Sequence, residues 1–415
     1  MPGSYWVETL GCPKNQVDSD KLEGTLVAGG LVAAPRPGEA EVIVVNTCAF
    51  IEAARQESVD VVLALSAARR PGARLVVTGC LAERYGEALA AALPEADQVA
   101  GFGVAVQLSR RPAGPPPPRL DLLNLPRPPS RAPWAYVKVA EGCDRRCGFC
   151  AIPSFRGRQR SRPPEAVLAE VEALGVQEVV LVAQDLASYG RDVDGLAPGA
   201  IIPLVEAVAA RVPRTRLLYL YPSDLSDGLI EVIGGVSGVA YFDLSLQHVS
   251  GPLLRRMRRW GDGARFLRRI EAIRGRFPEA AFRSSFIVGY PGETEADHDQ
   301  LLRFLGEAAL DWAGFFAYSR EDGTYAASLG GGVDDALVAE RLLELGEVQD
   351  AVTAGRRRRL VGQPVEVLID RPGTGRSHRE APEIDGVVQV PPELAPGSFA
   401  TVVVRGAYGP DLEAA

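Results

Sequence analysis

The six cysteines of this chain fall into two trios, and their placement limits how the chain can fold. Cys143, Cys147 and Cys150 form a compact C-x3-C-x2-C group. Cys12, Cys48 and Cys80 are scattered, yet each follows a short strand-like run: YWVETL, EVIVVNT and RLVVTG. Helix-like stretches separate the runs. Strand–helix–strand order makes a parallel sheet with right-handed crossovers. All three strands then end on one edge, where ligands bind in sheets of this kind. Three cysteines far apart in sequence can converge there.

Length sets the expectation of about three domains, and 47% hydrophobic residues supply the cores. No apolar run is long enough to span a membrane. The segment MPGSYWVETLGC lacks the charged and apolar regions of a signal peptide. The expected location is therefore cytoplasmic, with cysteines kept as thiols or metal ligands rather than disulfides. Net charge is −8, which argues against a strongly basic nucleic-acid footprint and is compatible with a basic protein partner. Lysine occurs only at Lys14, Lys21 and Lys138, and arginine carries the remaining positive charge. Coding bias is the simplest account of that imbalance.

The pattern predicts a multidomain α/β chain. Residues 1–111 read as a flavodoxin-like α/β domain, with apolar stripes Val59, Val62, Leu63 and Leu81, Tyr85, Leu89, Leu93 on its helices. Residues 112–133 hold nine prolines and read as a semi-rigid linker. Residues 134–360 carry six strand candidates (AYVKVA, EVVLVAQ, RLLYLY, YFDLSLQ, RSSFIVGY, WAGFFAYS) alternating with helical stretches. They predict a partial (β/α)6 barrel closed by a long helix from about Asp334 to Leu360. Residues 361–415 hold short β runs (PVEVLID, GVVQV, FATVVVRG) that fit a small antiparallel, OB-like barrel.

Cys143 follows the first barrel strand, at the face where barrel active sites open. Thiolates at this spacing suit an iron–sulfur cluster, and three ligands leave one iron of a 4Fe–4S cluster open. Structural zinc is the alternative, but it prefers four ligands. No fourth cysteine lies nearby, and His248, His298 and His378 are distant in sequence. C-x3-C-x-aromatic-C at the head of a βα series resembles the radical S-adenosylmethionine (SAM) superfamily. That resemblance implies that Cys143, Cys147 and Cys150 hold a 4Fe–4S cluster whose open iron binds SAM, with Phe149 near the adenine. Reductive cleavage of SAM there yields a 5′-deoxyadenosyl radical.

Both trios together, with the small C-terminal barrel, resemble the methylthiotransferases over essentially the whole chain. The last segment resembles that family's TRAM domain. The match is to the RimO type, carried by TLGCPKNQVDSD, VNTCAFIEAARQESVD, IPSFRGRQRSRP, LVAQDLASYG, LYLYPSD, LSLQHVS with RRMRR, FIVGYPGETE, FAYSREDGT and SHREAPEIDG. The tRNA-modifying MiaB type typically has Gln-Met after the first cysteine, where this chain has Pro13 and Lys14. The resemblance implies a second 4Fe–4S cluster on Cys12, Cys48 and Cys80 that carries the transferred sulfur. It also implies two uses of SAM, as methyl donor and as radical source. The substrate it implies is an aspartate β-carbon of ribosomal protein S-twelve in the small ribosomal subunit. The implied partners include an electron donor of flavodoxin or ferredoxin type; no membrane is expected, and the main reading has no tRNA. Two alternatives stay open: the same chemistry on a tRNA adenosine, and a non-catalytic two-cluster electron carrier or sensor. No acid–base pair stands out, so no catalytic residue is expected beyond the ligands of the two clusters.

Smaller signals divide between function and structure. Gly289, Gly292 and Glu293 lie in GYPGET after a strand: a turn, or a SAM contact. Gln184 and Asp185 follow another strand and are a polar loop opening or a contact for the methionine part of SAM. Gln247 and His248 end a strand at the barrel mouth: Gln247 is a candidate cofactor contact, and His248 is either functional or a satisfied structural histidine. His298 and His378 read as surface residues. The arginines of FRGRQRSR either grip a carboxylate or line a solvated loop. Arg356 to Arg359 close a helix whose dipole they complement. From Gln363 onward eight acidic residues face four arginines, which suits a basic protein partner better than phosphates, although solubility alone accounts for it as well.

Overall fold

The computed structural model describes residues 3–106 and 120–415. The first unit is a parallel sheet of β1 (Ser4–Thr9), β2 (Val32–Ala33), β3 (Val42–Thr47), β4 (Arg74–Gly79) and β5 (Gln98–Val99), ordered β2-β1-β3-β4-β5. This is the flavodoxin-like strand order. The crossover helices are α1 (Pro13–Ala28), α2 (Glu52–Ala68) and α3 (Cys80–Ala92). β3 and β4 are buried at every residue, as their apolar cores VIVV and LVV require between two covered faces. Two stripe residues face outward instead of inward: Leu63 is 40% and Tyr85 37% exposed. The buried face of α2 runs through Ser58, Val62 and Leu65. In α3 the helix breaks at Gly86 (φ +42°), which shifts the periodicity after Tyr85. Residues 112–119 of the proline-rich segment lie outside the described residues; 120–133 contain neither helix nor strand. This stretch is tied down by Lys21, whose buried Nζ donates to Leu123 O and Leu125 O and pairs with Glu170 at 3.2 Å.

The second unit is the expected six-stranded partial barrel. Its strands are β6 (Trp134–Lys138), β9 (Glu178–Val182), β10 (Arg214–Leu217), β11 (Tyr241–Gln247), β12 (Ala281–Val288) and β13 (Trp312–Ala317). The short β7 (Ala140–Glu141) and β8 (Arg160–Ser161) pair antiparallel beside the first barrel loop. All barrel pairings are parallel, and the bridge Leu220–Leu244 joins the two halves. Helices α4 (Ile152–Arg156), α5 (Pro164–Leu174), α6 (Ile201–Ala209), α7 (Asp227–Glu231), α8 (Gly251–Arg256), α9 (Gly263–Arg276) and α10 (Glu295–Ala308) intervene. The long α11 (Asp335–Arg358) closes the unit. It covers His298, which is 1% exposed and bonded to Glu344 at 2.8 Å; the surface reading of His298 is therefore overturned.

The last unit is a closed barrel of β14 (Pro364–Arg371), β15 (Thr374–Arg376), β16 (Val388–Gln389), β17 (Phe399–Tyr408) and β18 (Asp411–Ala414). Its pairings are antiparallel except β16–β18, which is parallel and completes the ring. The segment after β15 fills the N-terminal end of the larger barrel. Tyr136 donates to Pro382 O at 2.8 Å, Trp312 Nε1 to Arg379 O at 2.7 Å, and Tyr241 to Asp385 at 2.6 Å. Buried Glu178 joins both units through Arg216 (2.7 Å) and Arg376 (2.9 Å). The flavodoxin-like unit sits over the opposite end. Arg55 and Arg84 reach Glu321 at 2.5 and 2.6 Å, and Asp18 receives Lys138 and Arg156. The barrel mouth is thus roofed by the edge on which β1, β3 and β4 end.

Candidate active site

The three scattered cysteines meet because two glycines leave room. Gly11 (φ +95°) precedes Cys12, and a Cβ there would stand 2.8 Å from Cys48 Cβ. Gly79 (φ +91°) precedes Cys80, and a Cβ there would collide with Asn46 Oδ1 and the Thr47 backbone. Asn15 ties the three loops together. Its Nδ2 donates to Leu10 O (2.9 Å) and Thr47 O (3.0 Å), and its Oδ1 lies 3.6 Å from Cys80 Sγ. Cys48 is fixed by Ser58, which exchanges hydrogen bonds with its backbone at 3.1 Å.

The compact trio sits on the loop after β7. Cys143 N donates to Gly157 O, and Cys150 N to Cys147 O. Gly148 is clamped between Met257 O and the amide of Ala326. Among the described residues, one arginine side chain donates to each trio. Arg259 Nη1 donates to Cys147 Sγ at 3.3 Å, and Arg156 Nη2 to Cys80 Sγ at 3.0 Å.

All six cysteines line one cavity of about 460 Å³ under the roof. Phe149, Gln184, Asp185 and Gln247 line it too. Asp185 is held by Arg145 at 2.6 Å and by Ser188 at 2.6 Å, while its second oxygen is buried without a partner. Gln184 donates to Glu141 at 2.6 Å, leaving its own carbonyl oxygen unpartnered. Gln247 adopts φ +70° at the end of β11. Gly289, Gly292 and Glu293 are not among the cavity-lining residues. The Glu293 carboxylate accepts from the amides of Gly289 (2.6 Å) and Tyr290 and pairs with Arg341 at 2.9 Å, so it braces its own turn. His248 is fully buried, accepts from Ser250 N, and is pushed down to about 4 by burial, as a structural histidine is. In FRGRQRSR, Arg156 and Arg162 turn inward, whereas Arg158 and Arg160 are exposed.

Electrostatics decide what the thiols can hold. Burial pushes Cys48 and Cys150 up to about 12 and Cys143 to about 11, and it raises Cys80 despite Arg156. Cys12 alone moves down: burial opposes the change, but Lys14 and Arg156 outweigh it. Within each trio the sulfurs repel one another as thiolates; Cys48 feels Cys12 and Cys80, and Cys150 feels Cys147 and Cys143. A bound metal centre would remove both penalties, since coordination deprotonates a thiol outright. Among the described residues no three His, Cys, Asp or Glu gather around a single-ion position. A 4Fe–4S cluster asks only one thiolate per iron, so the all-sulfur donor sets fit two such clusters better than zinc.

The sequence reading missed Lys14, Asn15, Tyr219 and Arg259, all set by contacts between units or between distant loops. Lys14 Nζ lies 3.4 Å from the Tyr219 ring centre, and Arg145 and Arg259 flank Tyr221 at 3.8 and 4.1 Å.

Three family models match in order: the uncharacterized protein family UPF0004 over residues 4–101, the radical SAM superfamily over 137–305 and the TRAM domain over 361–415. A protein of Moorella thermoacetica called ribosomal protein uS12 methylthiotransferase RimO is 44% identical, covering 97% of this chain and 96% of its own. The protein of that name from Nocardioides sp. is 41% identical over 98% and 95%. Among solved structures, the radical SAM methyltransferase TsrM from Kitasatospora setae, with cobalamin and a 4Fe–4S cluster bound, superposes with a TM-score of 0.51. It is 14% identical and covers 96% of this chain and 84% of its own, a likeness of fold alone. With full-length identity of this order, the chain belongs to the RimO family of radical SAM methylthiotransferases.

Proposed function

We propose that this chain methylthiolates the β-carbon of an aspartate in ribosomal protein uS12 of the small subunit, working in the cytoplasm with electrons from a flavodoxin- or ferredoxin-like donor. The supporting observation is that two sulfur trios open on one cavity. Cys143, Cys147 and Cys150 would hold the SAM-binding 4Fe–4S cluster, and Cys12, Cys48 and Cys80 the auxiliary one. When bound, these groups and SAM supply hydrogen abstraction and the transferred methylthio group.

The residues of the chain position and enclose. Phe149 presents an apolar face for the adenine. Gln184 and Asp185 carry the unpartnered oxygens that an amino group of SAM would satisfy, and Gln247 faces the same space. The GYPGET turn acts at one remove: Gly292 packs against Arg256, and Glu293 fixes the turn through Arg341. Arg259 and Arg156 stabilise thiolate at Cys147 and Cys80. The flavodoxin-like roof excludes water from a carbon radical. None of this needs a general base at the reacting carbon.

The test is product mass spectrometry on reconstituted protein given SAM, a reductant, uS12 and tRNA together. A mass gain of methylthio on uS12 is expected. Gain on tRNA alone would overturn the substrate, and absence of 5′-deoxyadenosine would overturn the enzyme reading.

A further inference from the structure

We infer that Lys14 is the residue that grips the carboxylate of the target aspartate and so makes the site selective for an acidic side chain; the inference rests on the functional reading above. The chain has three lysines. Two are buried and neutralised: Lys21 by Glu170 at 3.2 Å, and Lys138 by Glu141 at 2.7 Å and by Asp18. Lys14 differs. It lines the cavity that both cysteine trios share. Among the described residues no carboxylate lies within ion-pair distance of its Nζ; its close partner is the face of Tyr219, at 3.4 Å from the ring centre, and its charge also acts on the Cys12 thiol. A ring face holds a cation without neutralising it.

Three of the other cavity cations are neutralised by carboxylates, and the fourth, Arg259, is spent on the compact trio. Arg145 is paired with Asp185 and Asp224, Arg156 with Asp18 and Glu141, and Arg283 with Asp243 at 3.2 Å. Arg259 donates to Cys147 Sγ and Ser245 O.

The platform is built at some expense. Tyr219 adopts φ +65°, a conformation that costs a non-glycine residue energy and is retained where the surroundings enforce it. Its amide donates to Asp243 Oδ2 at 2.9 Å, and this fixes the backbone that aims the ring. Lys14 also stands in the first turn of α1, whose N-terminus carries no side-chain cap and no acidic residue. The helix dipole adds positive potential there.

The chemistry selects the ligand. An aspartate β-carbon is bonded directly to its carboxylate, so holding the carboxylate fixes the carbon that loses hydrogen. A single mobile ammonium suits that task, because it pivots while the sulfur is delivered.

The test uses reconstituted full-length enzyme and uS12 carrying Asp or Asn at the modified position. Wild type should prefer Asp by about tenfold to a hundredfold in kcat/KM, the scale of one charge-assisted hydrogen bond. In Lys14→Met that preference should collapse toward one, with more 5′-deoxyadenosine released per methylthio transferred. Lys14→Arg should restore part of the preference. Iron and sulfide content report whether each variant still assembles its clusters. An unchanged Asp:Asn preference in Lys14→Met overturns the inference. An equal loss on both substrates also overturns it, placing the ammonium on SAM or on cluster assembly. Wild type inert on the Asp form would instead sink the functional reading, and the inference with it.

Discussion

Arg156 donates a hydrogen bond to Cys80 Sγ at 3.0 Å, although it stands six residues after Cys150, at the end of the helix α4 that follows the other trio. One guanidinium therefore belongs to the chain segment of the compact trio and to the sulfur environment of the scattered one. It is buried and also satisfies Asn15 at 2.7 Å, Asp18 at 3.0 Å and Glu141 at 2.9 Å. The roof and the barrel mouth are locked together at this point.

Arg156→Met would leave buried Asp18 and half-buried Glu141 with Lys138 as their one remaining cation among the described residues. Breaking a buried charge network by removing one partner costs about 3–5 kcal/mol, so a large fall in Tm is expected. Removing a hydrogen bond and a positive charge from Cys80 should also lower the reduction potential of the auxiliary cluster. Redox titration followed by electron paramagnetic resonance checks this, with the other cluster as internal control.

Cysteine substitutions should separate the two trios. Cys147→Ala is expected to abolish 5′-deoxyadenosine formation. Cys48→Ala should keep that cleavage and stop methylthio transfer, with about half the iron lost. Iron analysis and product mass spectrometry on the same preparations read both outcomes. Methylthiolation surviving in Cys48→Ala would refute the division of labour between the trios.

What could be read in advance follows the range of the interaction. The strand runs before Cys12, Cys48 and Cys80 are local patterns, and parallel topology alone brings their ends together; both are borne out. The six barrel strands were legible for the same reason. Arg156 was not assignable, because its partner Cys80 lies 76 residues away in another unit. His298 looked exposed because no local pattern shows that α11 packs over it. Tyr85 was placed in a buried stripe by a period that the break at Gly86 interrupts. Glu293 was a plausible cofactor contact by position, yet its turn consumes its oxygens.

The docking of the C-terminal barrel should fail in acid. Burial raises the carboxyls of Glu178 and Glu380, but Arg216 and Arg376 outweigh it at Glu178, and Arg357 with Ser377 holds Glu380 down at about 2. A group depressed on folding stabilises fully above its unfolded value, about 4.3 for Glu, and the contribution is lost as pH falls through the folded value. Asp385 in the same interface runs the other way. Burial pushes it up to about 6, so it favours the docked state as pH falls from 6 toward 4. The net expectation is docking that strengthens modestly from pH 6 to about 4 and is then lost between about pH 4 and 2. Trp312 reports it by fluorescence, since its Nε1 bonds Arg379 O and Arg357 lies 5.0 Å from its ring centre. A transition centred above pH 5 would refute the assignment to these two glutamates.

Gly79→Ala tests whether the scattered trio depends on close backbone approach. Gly79 has φ +91° and ψ −160°, a region that essentially only glycine occupies. Forcing alanine there costs about 1–3 kcal/mol in the backbone. The added Cβ would also push against Asn46 Oδ1 and the Thr47 backbone. Asn46 Nδ2 holds Asn15 O at 2.8 Å, and Asn15 in turn positions all three cysteine loops. The strain is therefore transmitted directly to Cys12, Cys48 and Cys80, whereas it reaches the segment after Cys150 at one remove, through the Arg156 bonds to Asn15 and Cys80. Reconstituted Gly79→Ala should lose the auxiliary cluster signal in electron paramagnetic resonance while it still cleaves SAM. Retention of both cluster signals at wild-type iron content would show that the trio tolerates the displacement and that its geometry is not set by Gly79.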